Sequence, residues 1–563
     1  MTPCATKGRR QLVPGPALIL ALTIGLVAGL TACGGDSPSS GAGTSVRPSA
    51  TPKAGGTLTV SYLTDAQSLD PALAQNPTER SVANAVSQGL LRYTARPGAE
   101  GAVLEPCLAD ELPTRANGGI SADGRTYSFA LRRGVIFQPP LNRELTAGDV
   151  KYSLERMMGI APAETRSLYA GVVGTARFLA GRDDEIDGLE VVDDETIRVR
   201  LTRPDPSFLN ALAMESSYIV PEEWVVRWGA EFGQHPLGTG PFAFLRWVPG
   251  DKIKLARSPS YWEPGKPYVD AVDFVRAPTA ETAVARLRAG EVDVLGHGLP
   301  PEGLPAFADE PSWQSQVRTR PLLAGTYLFL NTGLAPFDDV RVRRALSWAI
   351  DRERIAGLQP DRAEPLWQYY PPGLPGHAES AVSYGYAPAK AKSLLRQAGY
   401  PHGFETVLFT DREGLDPAIL KTVRSNLAAV GISARLRTLD RAQYIRRRSK
   451  PGALAMGSIP WQADIPDPSD WIETMASKAG ARRGDNPSFW WDARLETAQA
   501  AADASADQQA RIRQYTAMQR TIAAQAPYVP LYSSLQTTLC SKNTGGFYVH
   551  PVYRIDPASY WKM

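Results

Sequence analysis

Histidine and cysteine are scarce in this chain of 563 residues, which holds five of the first and four of the second. The histidines, at 235, 297, 377, 402 and 550, stand apart, with no pair at i,i+3 or i,i+4 and no neighbouring cysteine. Metal sites draw on clustered spacing of such residues, so no metal ion or other cofactor is expected. Common catalytic motifs are missing too: there is no GxSxG, HExxH, Walker loop or GxGxxG. The single SxxK, Ser559 to Lys562, ends one residue before the C-terminus. No catalytic residue is assigned, and an enzyme would have to assemble its site from distant residues. Net charge is only +3. That leaves no general basic patch and argues against nucleic acid as a partner. Past residue 30 no segment is apolar enough to span a bilayer.

The first fifty residues have their own logic. Lys7, Arg9 and Arg10 precede an apolar stretch, residues 17–30, that is too short for a membrane-spanning helix but suits the core of a signal peptide. Leu30-Thr31-Ala32-Cys33-Gly34 follows and resembles a bacterial lipobox, which makes residues 1–32 a lipoprotein signal peptide and Cys33 the acylated residue. The Arg9-Arg10 pair admits either general or twin-arginine export. Rich in Gly, Ser, Thr and Pro, residues 33–54 read as a lipidated cysteine followed by a flexible tether. Removal of the three basic residues of the signal brings the formal charge to zero. Cys4 leaves with the signal. Cys107 and Cys540 then remain in an oxidising compartment, either as a disulfide or as two buried thiols.

The remainder is too long for one core, so two or more lobes are expected. Strand-like alternation occurs at 55–63 and 125–137. Helical patterns occupy 146–158, opened by Thr146 and Asp149, and 279–290, stopped by Gly290 before another strand. Others span 337–357, the stretch opened by Pro388, and about 494–525. The class is mixed α/β without a short repeat.

Ordered blocks carry a family resemblance. They are "GGTLTVSYLTDAQSLDPALA", "DGRTYSFALRRGVIF", "LTAGDVKYSLERM", "PLGTGPFAFLRWVPGDKIKLARSPSYWE", "LRAGEVDVL", "YLFLNTGLAPFDDVRVRRALSWAIDRERI" and "YAPAKAKSLLRQAGYPHGF". The chain resembles the solute-binding lipoproteins of ABC importers, in the class of oligopeptide-, dipeptide- and nickel-binding proteins. Two blocks depart from it: "FQPPLNRELTAGDV" replaces a short turn, and "RSPSYW" lacks the usual Asn.

The resemblance implies a two-lobed, periplasmic-binding-protein-like α/β fold with a hinge and two crossovers, the first lobe enlarged by a subdomain. Lobe I would be residues 55–320 plus 528–563 and lobe II residues 321–527, with crossovers near Pro321–Thr326 and Pro527–Leu531. Cys107 and Cys540 would then share lobe I, which favours a bridge. The partners implied are a peptide ligand, an importer permease and, through the lipid, the outer face of the bacterial cell membrane, with the protein acting as a monomer. The same fold could instead bind a non-peptide solute, such as an oligosaccharide or a metal chelate. An exported hydrolase and a receptor that signals without transport are further alternatives.

The segment "SIPWQADIPDPSDWIE" (458–473) bears on that choice. It places Asp464, Asp467, Asp470 and Glu473 three apart, with no Lys or Arg between Lys450 and Lys478. Pro466 and Pro468 prevent a single acidic helical face. Asp467 and Asp470 read as turn and N-cap residues, Glu473 as a solvated helix residue and Trp471 as core. In peptide-binding relatives an Asp in a W-x-x-D segment pairs with the peptide ammonium. Trp461-Gln462-Ala463-Asp464 matches that pattern, so Asp464 is the expected ligand residue and Trp461 a wall of its pocket.

Overall fold

The computed structural model describes residues 51–563 except 300–306, 308–312, 314–315, 379–383 and 506. The signal peptide, Cys33 and most of the tether therefore lie outside the described residues. Among the described residues, no helix is long and apolar enough to cross a membrane.

Two sheets organise the chain. The first has five strands in the order Val294–Leu295, Thr57–Tyr62, Ala271–Arg276, Lys252–Arg257 and Phe242–Val248. Thr57–Tyr62 pairs in parallel with both neighbours, and its alternating Leu58, Val60 and Tyr62 enter a core with Phe242, Ile253, Leu255 and Phe274. A three-stranded antiparallel sheet, Thr126–Ala130, Thr196–Arg200 and Leu189–Asp193, forms the subdomain of this half. Helix Ala147–Ile160 covers it. Thr146 and Asp149 form the expected capping box, and Val150, Leu154, Met157 and Met158 are buried.

Six strands make the second sheet, in the order Ala363–Pro365, Tyr528–Leu539, Val317–Leu330, Met456–Gln462, Phe404–Asp411 and Ile432–Leu439. Two of them link the halves. Val317–Leu330 and Tyr528–Leu539 run antiparallel, and their register shifts between Pro321 and Gly325. Just past one end of this pair, Cys540 bridges to Val294 in the first sheet, and Thr538 Oγ1 donates to Leu295 O at 2.9 Å. Mixed α/β sheets joined by such a pair fit the two-lobed fold.

Local expectations need three corrections. The strand expected over 125–137 ends at Ala130, and the chain then turns at Gly134, whose φ is +73°. The helix expected over 337–357 is two helices, Val340–Ala349 and Arg352–Gly357. Ile350 is extended between them, and Asp351 caps the second by accepting from Arg354 N at 3.0 Å. Buried Arg352 fastens the break by donating to the carbonyls of Ser347, Tyr384 and Pro530.

The third concerns the cysteines. Both are free and buried. Cys540 packs in the core of the five-stranded sheet, where its thiol donates to Gln316 Oε1 at 3.5 Å. Cys107 sits elsewhere, beside Tyr261, His550 and Arg92 on the wall of a small cavity. Assignment to one half of the chain does not bring the two thiols together, and of the two readings left open the structure shows two buried thiols. Burial raises their pKa values to about 11 for Cys107 and about 12 for Cys540, so both stay protonated.

Candidate ligand site

The site begins where Met456–Gln462 pairs with Val317–Leu330, Trp461 opposite Gly325 and Gln462 opposite Ala324. Gly325 is required there, since a Cβ would lie 2.4 Å from the Tyr327 hydroxyl. Ala463 N extends the ladder to Leu323 O at 2.8 Å. The chain then leaves the sheet, and Asp464 occupies the corner. Ile465, from the second half of the chain, is buried in the hydrophobic cluster of the first-half subdomain. Asp464 is thus held at the junction between the halves.

The next turn is built by carboxylates. Asp467 N-caps helix Pro468–Met475, accepting from Ser469 N at 2.9 Å. Its two oxygens also accept a bidentate pair from Arg511 at 2.7 and 2.8 Å, and both side chains are buried. Burial alone would raise the Asp467 pKa, but Arg511 and the Ser469 donors outweigh it and hold it below the ordinary value. Asn210, from the first half, donates to the same carboxylate at 3.4 Å.

Asp470 is not a cap. It lies in the first turn of the helix that Asp467 caps, and one oxygen, Oδ2, accepts from both Trp461 Nε1 and Asp464 N at 3.2 Å. Burial, reinforced by the charge of Asp464, raises its pKa well above the usual carboxylate range. Nor is Glu473 simply solvated: it pairs with Arg203 of the first half at 3.2 Å. Trp471 is core as expected, fully buried with Nε1 donating to Tyr327 OH at 3.1 Å.

Asp464 itself differs from its neighbours. Its backbone is fixed, yet among the described residues its carboxylate has no hydrogen-bond or ion-pair partner. The side chain reaches solvent but is crowded by protein. That crowding raises its pKa, and Asp485 and Glu164 add to the shift while Arg80 opposes it. An unpaired carboxylate, with a second one behind it and two more acids near, can pair with a cation. Trp461 is half-buried against the hydrophobic cluster of the second half, and its indole N–H is committed to Asp470. Trp461 therefore braces Asp464 through Asp470. The sequence showed the acids but not their partners, because Arg203 and Arg511 lie far away in the chain. Among the described residues, no group of three or more His, Cys, Asp and Glu is placed to hold a metal ion.

The family pattern of the "bacterial extracellular solute-binding proteins, family 5 Middle" matches residues 103–483. The chain belongs to this family. Its fold is that of the type II periplasmic binding proteins. Among curated relatives of the family 5 chain, the glutathione-binding protein GsiB of Salmonella choleraesuis is 28% identical over 492 residues. That match covers 86% of this chain and 90% of GsiB. Di/tripeptide-binding protein 2 of Pseudomonas aeruginosa is 30% identical over 469 residues, covering 80% and 86% of the two chains. Among solved structures, DppA of Helicobacter pylori in complex with the peptide STSA is 28% identical with a TM-score of 0.67. It covers 91% of this chain and 98% of DppA.

Proposed function

We propose that this solute-binding protein captures peptides between its lobes and delivers them to an ABC permease, with Asp464 pairing the peptide ammonium. The observation that carries this is the unpartnered Asp464 carboxylate, fixed by its backbone at the junction of the halves and set in an acidic surrounding. The glutathione- and di/tripeptide-binding relatives, and the DppA complex with a peptide, support the same ligand class. Closure is favoured only if the ligand touches both lobes. The linked strands Val317–Leu330 and Tyr528–Leu539, with their register shift, are the proposed hinge, spread along the expected crossovers. As a receptor the protein performs no chemistry on its ligand.

The reading extends to location. Residues 1–32 direct export, and Cys33 carries the acyl chains that hold the protein at the extracytoplasmic face of the membrane. Labelling with a radioactive fatty acid should mark the chain and fail to mark Cys33→Ser. The ligand reading is tested by calorimetry with peptide pools. Saturable binding that Asp464→Asn weakens at least about tenfold supports it, since charge-assisted hydrogen bonds of this kind are worth roughly 1.5–3 kcal/mol. Absence of peptide binding would sink it.

A further inference from the structure

The low net charge of the whole chain conceals a local excess of one sign in the second half. Residues 435–450 hold seven Lys and Arg against one acid, Asp440. Two elements share them. Strand Ile432–Leu439 is the last of the six-stranded sheet and pairs with Phe404–Asp411, and among the described residues its other edge is unpaired. Asp440 then caps helix Arg441–Arg448, accepting from Gln443 N at 2.8 Å. Tyr444 of that helix and Leu439 of the strand enter one core cluster, and the Tyr444 hydroxyl donates to Ser458 O at 2.6 Å. The helix therefore packs on the sheet face to which Leu439 points. Arg435 and Arg437 stand two and four residues before Leu439, so they project from that same face.

Little inside the protein answers this charge. Arg441 is paired, with Asp411 at 3.2 Å and Glu413 at 3.5 Å. Among the described residues, the side chains of Arg435, Arg437, Arg446, Arg447, Arg448 and Lys450 have no ion pair or hydrogen bond. All of them but half-buried Arg448 are exposed.

Two local needs account for part of the pattern. Charge on a free edge strand deters pairing with another chain, and cations in the last turn of a helix meet its dipole. Neither need calls for strand and helix to carry one sign on one surface, where like charges repel. Exposed Leu436 and Ile445 lie among the arginines. Charge with two apolar side chains lacks the apolar centre of a protein interface. It suits a lipid surface, where phosphates spread over a plane and a few apolar side chains enter between headgroups.

We propose that strand Ile432–Leu439 and helix Arg441–Arg448 form a docking surface for an anionic lipid bilayer. The guanidinium groups pair with headgroup phosphates, while Leu436 and Ile445 enter the interface. This edge lies three strands from the linking strand Val317–Leu330, on the far side of the second sheet. The tether meets the fold in the other half, at strand Thr57–Tyr62. Contact at the basic edge therefore gives the protein a second attachment, on its second half, and limits how the receptor turns on its tether. Such contact goes beyond peptide capture and rests only on the location reading, a body kept at the outer face of the membrane.

Vesicle flotation tests this with the mature chain lacking its acyl groups, which retains every described residue. Vesicles of phosphatidylglycerol with phosphatidylcholine should carry the chain, and vesicles of phosphatidylcholine alone should not. Binding should fall as salt rises, since exposed charges are screened beyond about 10 Å at 0.1 M. Arg446→Glu with Arg447→Glu, and separately Arg435→Gln with Arg437→Gln, should each weaken binding about tenfold or more. All four side chains are exposed, so melting temperature and peptide affinity should stay at wild-type values. Absence of binding to anionic vesicles, or binding that neither pair of substitutions weakens, overturns the bilayer surface. If the wild type ignores vesicles while Arg446→Glu with Arg447→Glu abolishes peptide uptake, the surface belongs to an acidic protein partner and the lipid assignment falls. Neither outcome touches the location reading, because the assayed chain carries no acyl group and fatty-acid labelling reads Cys33 separately.

Discussion

Asp470 Oδ2 accepts from Trp461 Nε1 and from Asp464 N, each at 3.2 Å, so one oxygen fixes both residues of the W-x-x-D pattern. The acid that looked like a cap is the bracket of the candidate site. Two carboxylates side by side hold a proton more tightly than either would alone.

The first prediction concerns pH and ligand. Asp464 is raised above its ordinary value of 3.8 by crowding and its acidic neighbours. Protonation removes the charge that pairs with an ammonium, so affinity should fall on acidification, beginning at a higher pH than for an ordinary Asp. Asp485→Asn removes a charge that adds to the shift and should move that fall to lower pH. Calorimetry across pH checks it, and an unmoved profile would contradict the pairing.

A second prediction concerns Arg511 and Asp467, bonded through both guanidinium arms with neither side chain meaningfully exposed. Arg511→Ala leaves a buried carboxylate without its cation and should cost about 3–5 kcal/mol. Arg511→Ala combined with Asp467→Asn should cost clearly less than the two single substitutions added together. Denaturant unfolding of the four proteins measures this coupling.

Two buried groups should tilt stability with pH in opposite senses. The folded pKa of His550 is lowered by burial from 6.5 to about 4, since its ring must stay neutral to accept from Val552 and Tyr553. Its stabilisation is fully present above pH 6.5 and is lost as pH falls through about 4. Asp503 is raised by burial from 3.8 to about 6, so its contribution is present below 3.8 and lost as pH rises through about 6. Each effect is about 3 kcal/mol at most. Between pH 4 and 6, Asp503→Asn should make melting temperature rise more steeply with pH than in wild type, and His550→Gln less steeply. Slopes that change in the same direction would refute the assignment.

The thiols give a fourth prediction. Cys107 and Cys540 are buried, free and protonated. In the native protein neither should react with a thiol reagent at neutral pH, and both should react at once in denaturant without a reductant. A need for reductant would reveal a bridge.

Much of the fold was written locally. The Thr146–Asp149 capping box, the Gly290 stop and the alternation from Thr57 to Tyr62 are patterns within one turn or one strand, and each forms as read. The helix over 337–357 misled because its break depends on Arg352, whose acceptors include Tyr384 and Pro530, distant in the chain.

The same division runs through the site. The sequence by itself determined that Asp464 follows Trp461 by three residues, and that two prolines keep the acids off one helical face. Only the tertiary structure decided which acid is free. Arg511 neutralises Asp467, Arg203 meets Glu473, and Asp470 takes the indole of Trp461, leaving Asp464 with no partner for its carboxylate among the described residues. The physical reason is that charge pairing acts through space, and no spacing along the chain reveals which distant arginine folding will bring near.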